Sequence, residues 1–118
     1  MIPYGKQDIS QVDIDAVIEV LKSDYLTQGP VVERFEKDLS NYTGADYSIA
    51  VSSATSALHI ACIALGVGAG DLVWTSPITF VASANCALYC GAKVDFVDID
   101  FDTNNMCPSA LRLKLQHA

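Results

Sequence analysis

Residues 52–56, Ser52-Ser53-Ala54-Thr55-Ser56, place four hydroxyls and no bulky side chain side by side. Ahead of them, Tyr47-Ser48-Ile49-Ala50-Val51 carries the β-branched and aromatic residues of a buried strand. Behind them, Ala57-Leu58-His59-Ile60-Ala61-Cys62-Ile63-Ala64-Leu65 reads as a helix, with Gly66 placed to stop it. A helix start offers unpaired N–H groups and a partial positive charge, which suit a phosphate. Small residues let the anion reach the backbone, and Ser or Thr hydroxyls add hydrogen bonds. The same residues also make an ordinary helix cap, and spacing alone leaves both readings open.

The other chemically able side chains form weaker patterns. Cys62, Cys86 and Cys90 fall in apolar helical stretches, where cysteine behaves as a small hydrophobe, so the four cysteines read as reduced and structural. Cys86 and Cys90 sit one turn apart, a spacing that a metal can use, but no CxxC pair or paired histidines accompany them. His59 and His117 are isolated. There is no GxGxxG, so the common dinucleotide fingerprint is missing.

Elements must hold these residues in place. Ser10-Gln11-Val12-Asp13 reads as a capping box with Asp in the reciprocal position, and Ile14, Val17, Ile18 and Leu21 follow at helical spacing. Asp24-Tyr25-Leu26-Thr27-Gln28-Gly29-Pro30 interrupts that pattern, because Gly-Pro excludes a continuing helix. Val32, Phe35, Leu39 and Tyr42 resume a helical stripe closed by Gly44. After the strand at 47–51 and the helix at 56–65, the pattern predicts a strand at 72–75, a helix at 80–90 stopped by Gly91, and a strand at 93–97. Pro108 fits the first turn of one more helix. This alternation indicates an α/β fold with parallel strands, whose ligands bind at the carboxyl ends of the strands. Those ends are 52–56, 76–80 and 98–102.

Composition sets further bounds. At 118 residues the chain is one domain or part of one. Only 18% of residues are charged against 51% hydrophobic, which implies faces covered by something outside the chain. A net charge of −7 with no basic stripe argues against a nucleic-acid partner. No apolar run approaches bilayer length and MIPYGKQDIS has no secretory core, so the expected setting is cytoplasmic, away from membranes.

Six segments together carry a family resemblance: LTQGP at 26–30, FE at 35–36, SSATSALHIA at 52–61, GD at 70–71, TSPITFVASAN at 75–85 and GAKVDFVDID at 91–100. In order and spacing they resemble the amino-terminal third of pyridoxal-phosphate (PLP)-dependent nucleotide-sugar aminotransferases of the DegT/DnrJ type. SSATSAL and SPITFVASAN are most similar to the members that aminate a UDP-linked 4-keto-6-deoxy-HexNAc on the way to pseudaminic acid. The resemblance implies the N-terminal part of a fold type I, aspartate aminotransferase-like large domain, with three α/β/α layers. Residues 1–44 would supply N-terminal helices and a substrate-contacting segment, and 45–118 a βαβαβ part bearing the cofactor turn.

By the same resemblance, Ala54, Thr55 and Ser56 bind the PLP phosphate, and Phe80 stacks on the pyridine ring, a flat face suiting a flat cofactor. Asn85, one turn on, faces the same cleft or packs. Tyr4, Asp24, Tyr25, Leu26 and Thr27, with Ala54, match segments that contact the UDP-sugar. The implied partners are that substrate, an amino-acid donor such as glutamate, and a second copy in a homodimer. Transamination also needs a lysine that bonds the cofactor and a carboxylate on its ring nitrogen, and in this family both lie beyond residue 118. Lys6, Lys22, Lys37, Lys93 and Lys114 match no such position. Asp95, Asp98, Asp100 and Asp102 follow the third strand and read as a solvated strand end. The chain therefore reads as a truncated product, expected neither to fold as a stable monomer nor to bond PLP by itself. Two other functions stay open: a sugar dehydratase of the same family, and a non-catalytic phosphate- or nucleotide-binding fragment.

Overall fold

The structure is a computed structural model that describes residues 5–117. The chain forms two compact units, Met1–Ala50 and Val51–Ala118.

In the first unit, α1 (Gln11–Leu21) begins where the capping box predicts. Asp13 N–H donates to Ser10 Oγ at 3.4 Å, and Ser10 N–H donates to the Asp13 carboxylate at 2.8 Å. The Ser10 hydroxyl and amide hold the Asp13 carboxyl below its usual range. Helix α2 (Pro30–Thr43) starts on Pro30, whose fixed φ suits the first helical position, and ends at Gly44 in the left-handed region at φ 75. The strand expected at 47–51 does not form. A β-strand needs a neighbouring backbone, and among the described residues nothing pairs with this one. The Ala50 N–H instead donates to the Glu36 carboxylate at 2.7 Å.

The second unit runs α3 (Ala54–Ala64), β1 (Leu72–Thr75), α4 (Ala82–Tyr89), β2 (Lys93–Phe96) and α5 (Pro108–Leu115). Strands β1 and β2 are parallel, with Val73 opposite Val94 and Trp74 opposite Asp95. Helix α4 packs on both strands and on α3, and among the described residues the buried hydrophobic ones are Ala82, Cys86, Ala87, Ala92 and Val97. The helix expected at 80–90 opens two residues late. Pro77 and a Ser76 hydroxyl that accepts the Ile78 N–H at 3.3 Å keep 76–80 out of it. Phe80 thus lies before α4 and not inside it.

Helices α3 and α4 run the same way. A Cβ placed on Gly68, in the loop leaving α3, would lie 3.9 Å from the carbonyl oxygen of Cys90, the C-cap residue of α4. The two C-terminal ends therefore meet, and the two N-termini lie at the other end of the unit, where β1 delivers residues 76–81. Past β2, Asp100 accepts from the amides of Asp102 and Thr103 and from the Thr103 hydroxyl, and these bonds pull its carboxyl below the usual range. Its carboxylate is committed to shaping that loop.

Candidate phosphate site at the start of α3

Ser53 is the N-cap of α3, with extended backbone at φ −162 and ψ 158. Its Oγ accepts the Ser56 N–H at 3.2 Å, and its carbonyl accepts the Ala57 N–H at 3.1 Å. The Ser56 hydroxyl lies 3.1 Å from Ser53 Oγ and 3.3 Å from Ser52 Oγ. The hydroxyl chemistry is thus divided. Ser52, Ser53 and Ser56 hold one another, while the Thr55 hydroxyl and the amides of Ala54 and Thr55 have no hydrogen-bond partner among the described residues.

Two unclaimed amides and one unclaimed hydroxyl at a helix N-terminus can donate to an anion, and the helix dipole favours its charge. No acidic residue occupies the first turn of α3 to compete. Ala54 is exposed, while Thr55 and Ser56 are partly covered.

Phe80 is brought to the same end of this unit, on the segment joining β1 to α4. It is 72% exposed, so within this chain it belongs to no core. Its carbonyl accepts the Ser83 N–H at 3.0 Å, which anchors its backbone to the first turn of α4. A rigidly held backbone with a free aromatic face suits a planar ligand. Asn85 is partly buried on α4.

The expected substrate-contacting residues belong to the first unit. Asp24, Tyr25, Leu26 and Thr27 form the exposed connection between α1 and α2. The Tyr25 N–H donates to Ser23 Oγ at 3.3 Å, fixing the entry to the turn. Gln28 takes a positive φ of 50. A Cβ on Gly29 would meet Tyr25 Cβ at 2.7 Å, so this turn closes only with glycine there. That requirement was hidden in the sequence, where Gly29 reads merely as the residue before a helix-starting proline. Tyr4 lies outside the described residues.

A cavity of about 340 Å³ opens elsewhere in the second unit, lined by Leu72, Trp74, Asp95, Leu113, Lys114 and His117. Lys114 pairs there with Asp95 and holds its carboxyl below the usual range. Both charges are thereby occupied in fastening α5 to the sheet. Trp74 Nε1 is buried without a hydrogen-bond partner among the described residues.

Comparison with known proteins agrees with the resemblance. The profile of the DegT/DnrJ/EryC1/StrS aminotransferase family matches residues 7–117. The UDP-4-amino-4,6-dideoxy-N-acetyl-beta-L-altrosamine transaminase of Campylobacter jejuni serotype O:23/36 is 49% identical over 104 residues, which are 88% of this chain and 27% of that protein. The spore coat polysaccharide biosynthesis protein SpsC of Bacillus subtilis is 43% identical over 110 residues, 93% of this chain and 28% of that protein. Among solved structures, Spr1654 of Streptococcus pneumoniae, assigned as a sugar aminotransferase and solved in a PLP-form, superimposes with a TM-score of 0.90 at 35% identity. That match covers 95% of this chain and 29% of Spr1654. The chain thus has the fold of part of the fold type I large domain, and it spans little more than a quarter of the curated relatives' length.

Proposed function

Because the chain belongs to the DegT/DnrJ/EryC1/StrS aminotransferase family, we propose that it forms the N-terminal part of a PLP-dependent nucleotide-sugar aminotransferase. The substrate proposed is a UDP-linked 4-keto-6-deoxy-HexNAc, aminated at its keto carbon with glutamate as donor, toward pseudaminic acid or a related surface glycan. The name and 49% identity of the Campylobacter relative support that choice of sugar. The homodimer expected of the full-length protein is part of this proposal.

Bound PLP would supply the electron sink through which an amino group moves between donor and keto carbon. The rest is work for this chain's residues. The amides of Ala54 and Thr55, with the hydroxyls of Thr55 and Ser56, would hold the phosphate and so fix one end of the ring. The exposed face of Phe80 would cover the ring and exclude water from it. Tyr4, Asp24, Tyr25, Leu26 and Thr27, with Ala54, would receive the nucleotide sugar. The lysine that bonds the cofactor is proposed to come from sequence outside this chain, since by the family resemblance none of the five lysines here matches its position.

The observation that carries this reading is the pair of unclaimed amides at Ala54 and Thr55, at the same end of the unit as the exposed ring of Phe80. The test is product analysis with the full-length protein, glutamate and the UDP-4-keto sugar. Conversion of the ketone to a primary amine, dependent on added PLP, is the expected result. An unchanged ketone, or loss of a hydroxyl without gain of nitrogen, would contradict it.

A further inference from the structure

Helix α2 reaches the segment at 47–51 through two polar side chains one turn apart. The Glu36 carboxylate accepts the Ala50 N–H at 2.7 Å, and the Ser40 and Ser48 hydroxyls meet at 2.9 Å. Positions four apart on a helix share a face, so the two ties act side by side. Among the residues of α2 only Glu36 and Ser40 are partly covered, while Val32, Phe35, Leu39 and Tyr42 stay exposed. The face turned to the segment is therefore polar, and it holds the segment by hydrogen bonds rather than by apolar burial. Segment 47–51 has no strand neighbour among the described residues, so no ladder claims its amides. Glu36 supplies an acceptor in place of one, and a carboxylate bonds an N–H more strongly than a neutral oxygen does. Ala50 stands two residues before Ser52, and two extended residues cover at most about 7 Å. Holding the Ala50 amide thus limits where the turn at 52–56 can begin. None of the proposed cofactor or sugar contacts uses Glu36.

We propose that Glu36 is a positioning residue for the phosphate turn: by holding the Ala50 amide it sets the path of the backbone into Ser52–Ser56. The proposal rests on the reading that the start of α3 holds the PLP phosphate. The effect travels along the chain. Val51 and Ser52 follow Ala50 directly, and the extended backbone of Ser53 then opens α3. Hydrogen bonds weaken steeply when misdirected, so the amides of Ala54 and Thr55 and the Thr55 hydroxyl grip a phosphate best when their backbone is fixed beforehand. With the Ala50 amide released, the entry to the turn must be ordered on binding, which costs affinity. Reach decides this role rather than charge. Glutamine keeps an oxygen at the same distance from the helix, whereas aspartate falls one methylene short.

The test compares PLP and pyridoxal binding to the full-length protein and its Glu36 variants, with Thr55→Val as the control for the phosphate reading. Glu36→Ala and Glu36→Asp are each expected to cut the preference for PLP over pyridoxal about threefold to tenfold, the worth of one hydrogen bond. Pyridoxal binding should stay as it was. Glu36→Gln is expected to keep most of the preference. If Glu36→Ala fails to fold, the Asp and Gln variants decide, since both keep a polar side chain of nearly the native size. The proposal is overturned if Glu36→Asp keeps the wild-type preference while Thr55→Val loses it. It is equally overturned if Glu36→Asp loses PLP and pyridoxal binding alike, or if Glu36→Gln is as impaired as Glu36→Asp. A wild-type protein with no preference for PLP, or a Thr55→Val variant that keeps it, would overturn the phosphate reading and this proposal with it.

Discussion

Phe80 and Ser53 show how exposure and capping divide roles at the residue scale. A ring that is 72% exposed contributes little to folding within this chain. Phe80→Ala in the full-length protein is therefore expected to keep the thermal transition while shifting cofactor absorption. The lost stacking is worth about 1 kcal/mol, or roughly fivefold in PLP retention. A variant that loses its fold together with its cofactor would return Phe80 to a packing role. Ser53 should behave the opposite way. As N-cap it accepts the Ser56 amide, so Ser53→Ala should destabilise α3 by about 0.5–2 kcal/mol, read as a lowered melting temperature. The sequence made residues 52–56 legible as a helix start rich in donors. It did not tell which hydroxyl caps and which is free, because Ser52, Ser53, Thr55 and Ser56 are all competent, and only the extended backbone at Ser53 decides.

The helices of both units were readable at the scale of elements because their signals are local: the Ser10–Asp13 box, Pro30 and Pro108 at first positions, and Gly44 at a stop. The segment at 47–51 was not, since its apolar residues state a preference for strand while the partner must come from elsewhere. Gly29 was equally opaque, as its need arises from the approach of Tyr25 across the turn. Gly29→Ala would press a methyl into Tyr25 Cβ, which stands at 2.7 Å. The turn at 24–29 should shift and weaken nucleotide-sugar binding, raising KM more than it lowers kcat. Unchanged KM would detach this turn from the substrate. Helix α5 offers a pH test. Lys114 lowers the Asp95 carboxyl, so the pair contributes stability above the ordinary carboxylate range and loses it as pH falls through the lowered value. Hydrogen-exchange protection of Pro108–Leu115 is expected to drop on that acid side. Asp95→Asn should remove the pH dependence, and an identical acid profile in that variant would contradict the assignment.

At the scale of the whole molecule, few side chains are buried and many large apolar ones are exposed, among them Ile49 at 75%, Leu65 at 82% and Phe101 at 95%. A domain has only about 5–15 kcal/mol to spare, and exposed apolar faces invite association. The 118-residue chain expressed by itself is therefore expected to show no cooperative thermal transition as a soluble monomer. It is also expected to yield no stoichiometric, borohydride-reducible PLP adduct on one lysine. A sharp monomeric unfolding transition would contradict the first statement and such an adduct the second. The central claim is that the start of α3 holds a phosphate, and discrimination between PLP and pyridoxal in the full-length protein tests it most directly. Thr55→Val removes one hydrogen bond to a charged oxygen, worth about 1.5–3 kcal/mol. It should cut the preference for PLP over pyridoxal roughly ten- to hundredfold while leaving pyridoxal binding as it was. An unchanged preference would make Thr55 an ordinary residue of a capped helix and contradict the account.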